Sequence, residues 1–88
     1  MSWRSLSVEF KSRAKRDLKL LDRTVQVRVL KTIRDYAASG HGDVKCLQGS
    51  PDYRLRVGDW RVRFGLEGGE IQVMMVLRVL HRREAYRD

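Results

Sequence analysis

With a single cysteine, Cys46, the chain cannot form an intramolecular disulfide, which fits a reducing compartment. A Cys-His pair would have to draw on His41 or His81, the only histidines. Cys46 falls in a predicted loop beside Leu47, where a small buried or half-buried filler is the expected role. Two histidines and one cysteine are too few for a zinc site without carboxylates, so no metal and no cofactor is expected. Proline occurs once and glycine seven times, which argues against a disordered or low-complexity chain. Long apolar runs are missing as well. The longest, Val73 to Leu77, is far short of the ~20 residues of a membrane span. Met1-Ser2-Trp3-Arg4 lacks the apolar segment of a signal peptide. A cytoplasmic protein with no membrane contact is the expectation. Acids are also scarce, 11 against 19 lysines and arginines, leaving a net charge of +8. Such a field attracts polyanions: nucleic acid, an acidic protein or an anionic membrane.

What is present is a chain of 88 residues, 42% hydrophobic, enough for one domain over 1–88 and not two. Leu6, Val8 and Phe10 alternate with Ser5, Ser7 and Glu9, the period of a strand. Ala14, Leu18 and Leu21 then recur at helical spacing, predicting a helix over 11–21 crowded with lysine and arginine. Asp22 or Thr24 can cap a second helix over 23–39. Its stripe is Val25, Val29, Ile33 and Tyr36, and it stops at Gly40 and Gly42. His41 to Asp52 reads as a loop. Three strands follow: Tyr53 to Val57, Trp60 to Leu66 and Ile71 to Leu80, joined by Gly58-Asp59 and by Glu67-Gly68-Gly69-Glu70. The polar tail from His81 has room for a helical turn or two. The expected fold is therefore α+β, ordered β-α-α-β-β-β, with a helical hairpin on one face of a small, largely antiparallel sheet and a short helical tail.

A two-residue turn at Gly58-Asp59 sets Val57 opposite Trp60, Arg56 opposite Arg61, Leu55 opposite Val62, Arg54 opposite Arg63 and Tyr53 opposite Phe64. Tyr53, Leu55, Val57, Trp60, Val62 and Phe64 then share the face under the helices. That parity makes Tyr53 and Trp60 packing residues and not stacking platforms for bases. The opposite face carries Arg54, Arg56, Arg61 and Arg63. A turn at Gly68-Gly69 sets Arg63 opposite Met74, Arg61 opposite Val76 and Asp59 opposite Arg78. It puts Ile71, Val73, Met75, Leu77 and Val79 inside, with Gln72, Met74, Val76, Arg78 and Leu80 outside. The helices are expected over Leu55, Val62 and Val73. Arginines directly opposite one another cost up to ~1 kcal/mol per pair. A face needing only solvation would interleave acids, so this one is read as an anion-binding face, and the planar guanidinium suits phosphate.

The segments Tyr53-Arg54-Leu55-Arg56-Val57-Gly58-Asp59-Trp60-Arg61-Val62-Arg63-Phe64 and His81-Arg82-Arg83-Glu84-Ala85-Tyr86 resemble the RelE/ParE toxin superfamily, the second pointing to its RelE-like members. The helical N-terminal half and the spacing of the two segments are similar too, so the likeness covers nearly the whole chain. It implies a single RelE-like toxin domain that cuts messenger RNA, commonly in the ribosomal A site. It also implies a cognate antitoxin, which wraps the basic helix or the sheet and displaces the tail, and repression of operator DNA by the pair. Carried over by resemblance, the active site comprises Arg54, Arg56, Arg61, Arg82 and Tyr86. Some relatives have lysine where this chain has Arg54 and Arg56, which could mean a slow enzyme.

Metal-independent RNA cleavage requires that a 2′-OH attack the adjacent phosphate, leaving a 2′,3′-cyclic phosphate and a 5′-OH. Arg61 with Arg56 or Arg82 suits the charge of the transition state. Arg54, Arg63, Arg78, His81 and Arg83 are expected to hold the RNA. Arginine stays charged and is a poor base, which leaves Tyr86, its pKa lowered by arginines, or His81. Two other readings fit the charge: a ParE-like inhibitor of DNA gyrase, and a non-catalytic nucleic-acid-binding module in which no single arginine dominates.

Overall fold

Each periodic segment folds against the others in the computed structural model, which describes residues 3–85. The order is β1 (Ser7–Phe10), α1 (Ser12–Lys19), α2 (Arg23–Ser39), β2 (Asp43–Cys46), β3 (Tyr53–Val57), β4 (Trp60–Glu67), β5 (Val73–His81) and α3 (Arg82–Ala85). The strands form one sheet in the order β1-β5-β4-β3-β2, with β1 parallel to β5 and the other pairs antiparallel. The α+β class is as expected, and β1 supplies the neighbour of β5 that the sequence left open. The loop expected over His41 to Asp52 is partly a fifth strand. In β2 only Val44 is half-buried. So short an edge strand carries almost no alternation of its own and is held by pairing with β3.

The core joins Ala14 and Leu18 of α1 to Val29, Ile33, Tyr36 and Ala37 of α2. Beneath them lie Leu55, Val57, Val62, Phe64, Met74, Val76 and Val79 of the sheet. Burying a side chain such as Phe64 or Ile33 contributes about 1.5–3 kcal/mol. Trp3, Tyr36, Phe64 and Tyr53 form a chain of rings with successive centroids 5.4, 5.4 and 5.5 Å apart. Gly40 ends α2 in the left-handed region, its N–H donating to the Tyr36 carbonyl at 2.8 Å.

The first hairpin has the register its turn dictates, from Val57 opposite Trp60 to Tyr53 opposite Phe64. Gly58 has φ 60, while no described non-glycine residue has positive φ, as a type II′ turn with glycine leading requires. The second hairpin differs from the expectation. Arg63 lies opposite Arg78 and Arg61 opposite Leu80, while Phe64 lies opposite Val76 and Glu67 opposite Val73. Two causes combine. The turn takes in Ile71, 73% exposed, and Gln72, so β5 starts later. A β-bulge at Leu77 then shifts the pairing by one residue. Met74 and Val76 therefore lie in the core, Val73, Met75 and Leu77 are only half-buried, and Val73 is not under the helices. Beyond the bulge the parity reverses, so Val79 faces inward and Arg78 outward as expected.

β1 covers only the first half of β5. After Lys11 donates to the Val76 carbonyl at 2.9 Å, α1 takes over that edge. Asp17 accepts the Val79 N–H at 2.9 Å, and the same carboxylate receives Nε of Arg78 at 2.8 Å. Gln26 ties α2 to α1 by donating to the Leu18 carbonyl at 2.9 Å.

Candidate nucleic-acid interface

Strand pairing arranges the face away from the helices in two rows. One runs Lys45, Arg54, Arg63, Arg78 across β2, β3, β4 and β5. At about 4.8 Å per strand it spans roughly 14 Å, and every member is a cation. The other runs Asp43, Arg56, Arg61, Leu80. Lys45 and Asp43 were missed in the sequence because β2 was read as loop. The signal that could have found them is the single alternation of Val44 between two charged residues.

The named residues differ in depth. Arg56 is exposed. Arg61 is 7% exposed, and its Nη1 donates to the carbonyls of Gly58 at 2.7 Å and Trp60 at 2.9 Å. Its Nε has no hydrogen-bond partner among the described residues. Arg54 and Arg63 are half-buried. Arg78 is held by Asp17 through both Nε, at 2.8 Å, and Nη2, at 3.3 Å. Arg82 is exposed at the turn, its backbone N–H donating to the Asp59 carbonyl at 2.8 Å and its Nε lying 3.8 Å from the Asp59 carboxylate. Arg83 is exposed, and its N–H donates to Nδ1 of His81 at 3.3 Å. His81 pairs with Trp60, and its ring meets the Trp60 ring edge-on at 5.2 Å. Trp60 shares the parity of Val62, so His81 stands on the helix side; it lines cavities there with Arg78 and with Arg83, and does not line the cavity that holds Arg54 and Arg63. Tyr86 lies outside the described residues.

Two open cavities flank the basic row. One, of about 500 Å³, lies between the 45–50 segment, Arg54, Arg63 and Ala85. The last described residue of α3 thus borders the arginines, and Tyr86 is next in the chain. The other, of about 510 Å³, lies between Arg63, Arg78 and the first turn of α1. Among the described residues no group of three His, Cys, Asp or Glu side chains could hold a metal ion. No described helix is long and apolar enough to cross a membrane. Cys46 is exposed rather than a buried filler, because edge strand β2 has no neighbour on its outer side.

This arrangement is a small sheet with a basic outer face, and comparison with known proteins places it. The family described as "ParE toxin of type II toxin-antitoxin system, parDE" matches residues 8–86. The chain belongs to that family, within the RelE/ParE superfamily, and is the toxin of a type II toxin-antitoxin system. Among solved structures it is similar to a chain of the toxin-antitoxin complex RelBE2 from Mycobacterium tuberculosis, with a TM-score of 0.72 and 23% identity over 89% of this chain and 99% of that one. A chain of the RelB-RelE antitoxin-toxin complex from Methanococcus jannaschii gives 0.65 and 26% over 88% and 93%. One from the archaeal RelE-RelB complex of Pyrococcus horikoshii OT3 gives 0.74 and 22% over 93% and 100%. Among curated protein sequences none matches.

Proposed function

We propose that the toxin is a metal-independent endoribonuclease that cuts messenger RNA in the ribosomal A site. The observation that carries this reading is the uninterrupted basic row Lys45, Arg54, Arg63, Arg78, with exposed Arg56 and Arg82 beside it and Ala85 of α3 bordering it. The row holds the RNA backbone. The 2′-oxygen attacks phosphorus, the bond to the 5′-oxygen breaks, and a cyclic phosphate and a 5′-OH result. Arg56 and Arg82 offset the charge of the transition state, where a lost donor typically costs 10²–10³-fold in rate. Arg61, the cross-strand partner of Arg56, holds the turn in shape through the two carbonyls it binds. The base in this reading is Tyr86, which follows Ala85 in the chain, since His81 packs beside Trp60 on the other side of the sheet. The 2′-OH proton passes to Tyr86, and solvent protonates the leaving 5′-oxygen.

A cognate antitoxin is the proposed partner, as the similar solved structures are RelB–RelE complexes. It would present acidic and apolar side chains to the basic face, and the pair would bind operator DNA. The second reading, inhibition of DNA gyrase, is favoured by one observation: the matching family is described as ParE. A translation extract and a supercoiling assay run on one preparation separate them. Cut messenger with 5′-OH ends and unaffected supercoiling supports the nuclease. Intact messenger with blocked supercoiling overturns it.

A further inference from the structure

The bulge at Leu77 re-aims β5 so that Arg78 joins Arg63 on the outer face, and the cavity beside them is closed by the first turn of α1. Lys11, the residue before α1, and Arg13 of its first turn line it, with Arg63, Arg78 and half-buried Leu77 from the sheet. The acid lining it is Asp52. Exposed Lys11 and Arg13 bring two positive charges to its rim, while Asp17 offsets Arg78. An open cavity lined by such charge on a partly apolar floor suits a phosphodiester: the anion meets several donors, and a ribose can lie against Leu77. Arg63 lines both this cavity and the one that Ala85 borders, so the two adjoin along the basic row.

We propose that this cavity is a phosphate subsite for a nucleotide flanking the one that is cut, so that the RNA backbone passes from the basic row over the edge of β5 onto Lys11 and Arg13. The inference rests on the reading that the outer face takes RNA, and it adds a length requirement: a dinucleotide fills the row, and only a longer strand reaches α1.

The test is fluorescence anisotropy of the full chain with a non-cleavable dinucleotide and hexanucleotide, both 2′-O-methylated. The double variant Lys11→Gln/Arg13→Gln is compared with Lys15→Gln/Arg16→Gln, which removes the same charge from exposed positions of the same helix outside the cavity. The first should lose about tenfold affinity for the hexanucleotide and little for the dinucleotide. Its salt dependence should flatten by about 1.4 in slope, two contacts at roughly 0.7 each for a single strand. The second should lose no more than about threefold. Equal losses from both variants, no loss from either, or no binding by the unaltered chain overturns the subsite. So does a hexaglutamate peptide that depends on Lys11 and Arg13 where the hexanucleotide does not, since the cavity would then be a carboxylate site. An unaltered chain that cuts no message while hexanucleotide binding behaves as stated sinks the nuclease reading and leaves the subsite standing.

Discussion

A guanidinium out of reach of water needs acceptors, and Arg61 finds them in the two carbonyls of its own hairpin turn. Removing it leaves both carbonyls short of a donor and opens space beside Leu80, itself buried. Arg61→Ala should therefore cost about 2 kcal/mol of stability, whereas Arg56→Ala, at an exposed position, should change it by less than about 0.5 kcal/mol. Urea denaturation of the two variants checks this, and a larger loss from Arg56→Ala would contradict the depth assigned to each. Tyr36 gives a pH effect. Burial, and secondarily Tyr53, raises its pKa above the ordinary 10.0. The unfolded chain gives up that proton first, so this contribution to stability is complete below pH ~10 and is lost as pH rises through the folded value. Denaturation between pH 8 and 11 should show a shallower alkaline decline in Tyr36→Phe, and equal declines would contradict it. Which face each arginine occupies was legible at this scale, because parity follows from the turn. Depth was not. Arg56 and Arg61 are cross-strand partners with the same parity, yet one is exposed and the other buried against its own turn.

Elements explain why one hairpin was readable and the other was not. Gly58-Asp59 leaves a single short turn geometry, so five pairs follow from two residues. Gly68-Gly69 offers no such constraint. Gly68 lies at φ 102, where a Cβ would sit 2.3 Å from the Ile71 carbonyl oxygen, and the loop widens to include Ile71 and Gln72. A bulge leaves no mark in an apolar run such as Val73 to Leu77, because every residue there suits either face. The α1–β5 edge supplies the prediction at this scale. Asp17 serves as acceptor for both the Val79 N–H and Arg78, in place of a sixth strand. Asp17→Asn keeps one acceptor and loses the charge, so it should cost about 1–3 kcal/mol. It should also raise amide hydrogen exchange at Val79 above that at Phe64. Unchanged exchange at Val79 would mean that α1 does not protect this edge.

For the whole molecule, an excess of cations over acids becomes a directed surface only through the sheet, which lines up Lys45, Arg54, Arg63 and Arg78 from four strands. Composition gave the excess of cations, and the turn at Gly58-Asp59 gave the face that four of the arginines share. The ends of the row, Lys45 and the cavity at α1, were hidden because they depend on which distant elements meet. RNA binding carried by this row should weaken steeply with salt, since each phosphate contact releases counterions. The most direct measurement of the central claim is primer extension on a message being translated, with fragment ends tested for 5′-OH, comparing the unaltered chain, Arg56→Ala and Tyr86→Phe. The account predicts cleavage inside the reading frame, about 100-fold less with Arg56→Ala, and slowed cutting with intact ribosome binding for Tyr86→Phe. An uncut message, or equal and mild effects of both substitutions, would contradict it.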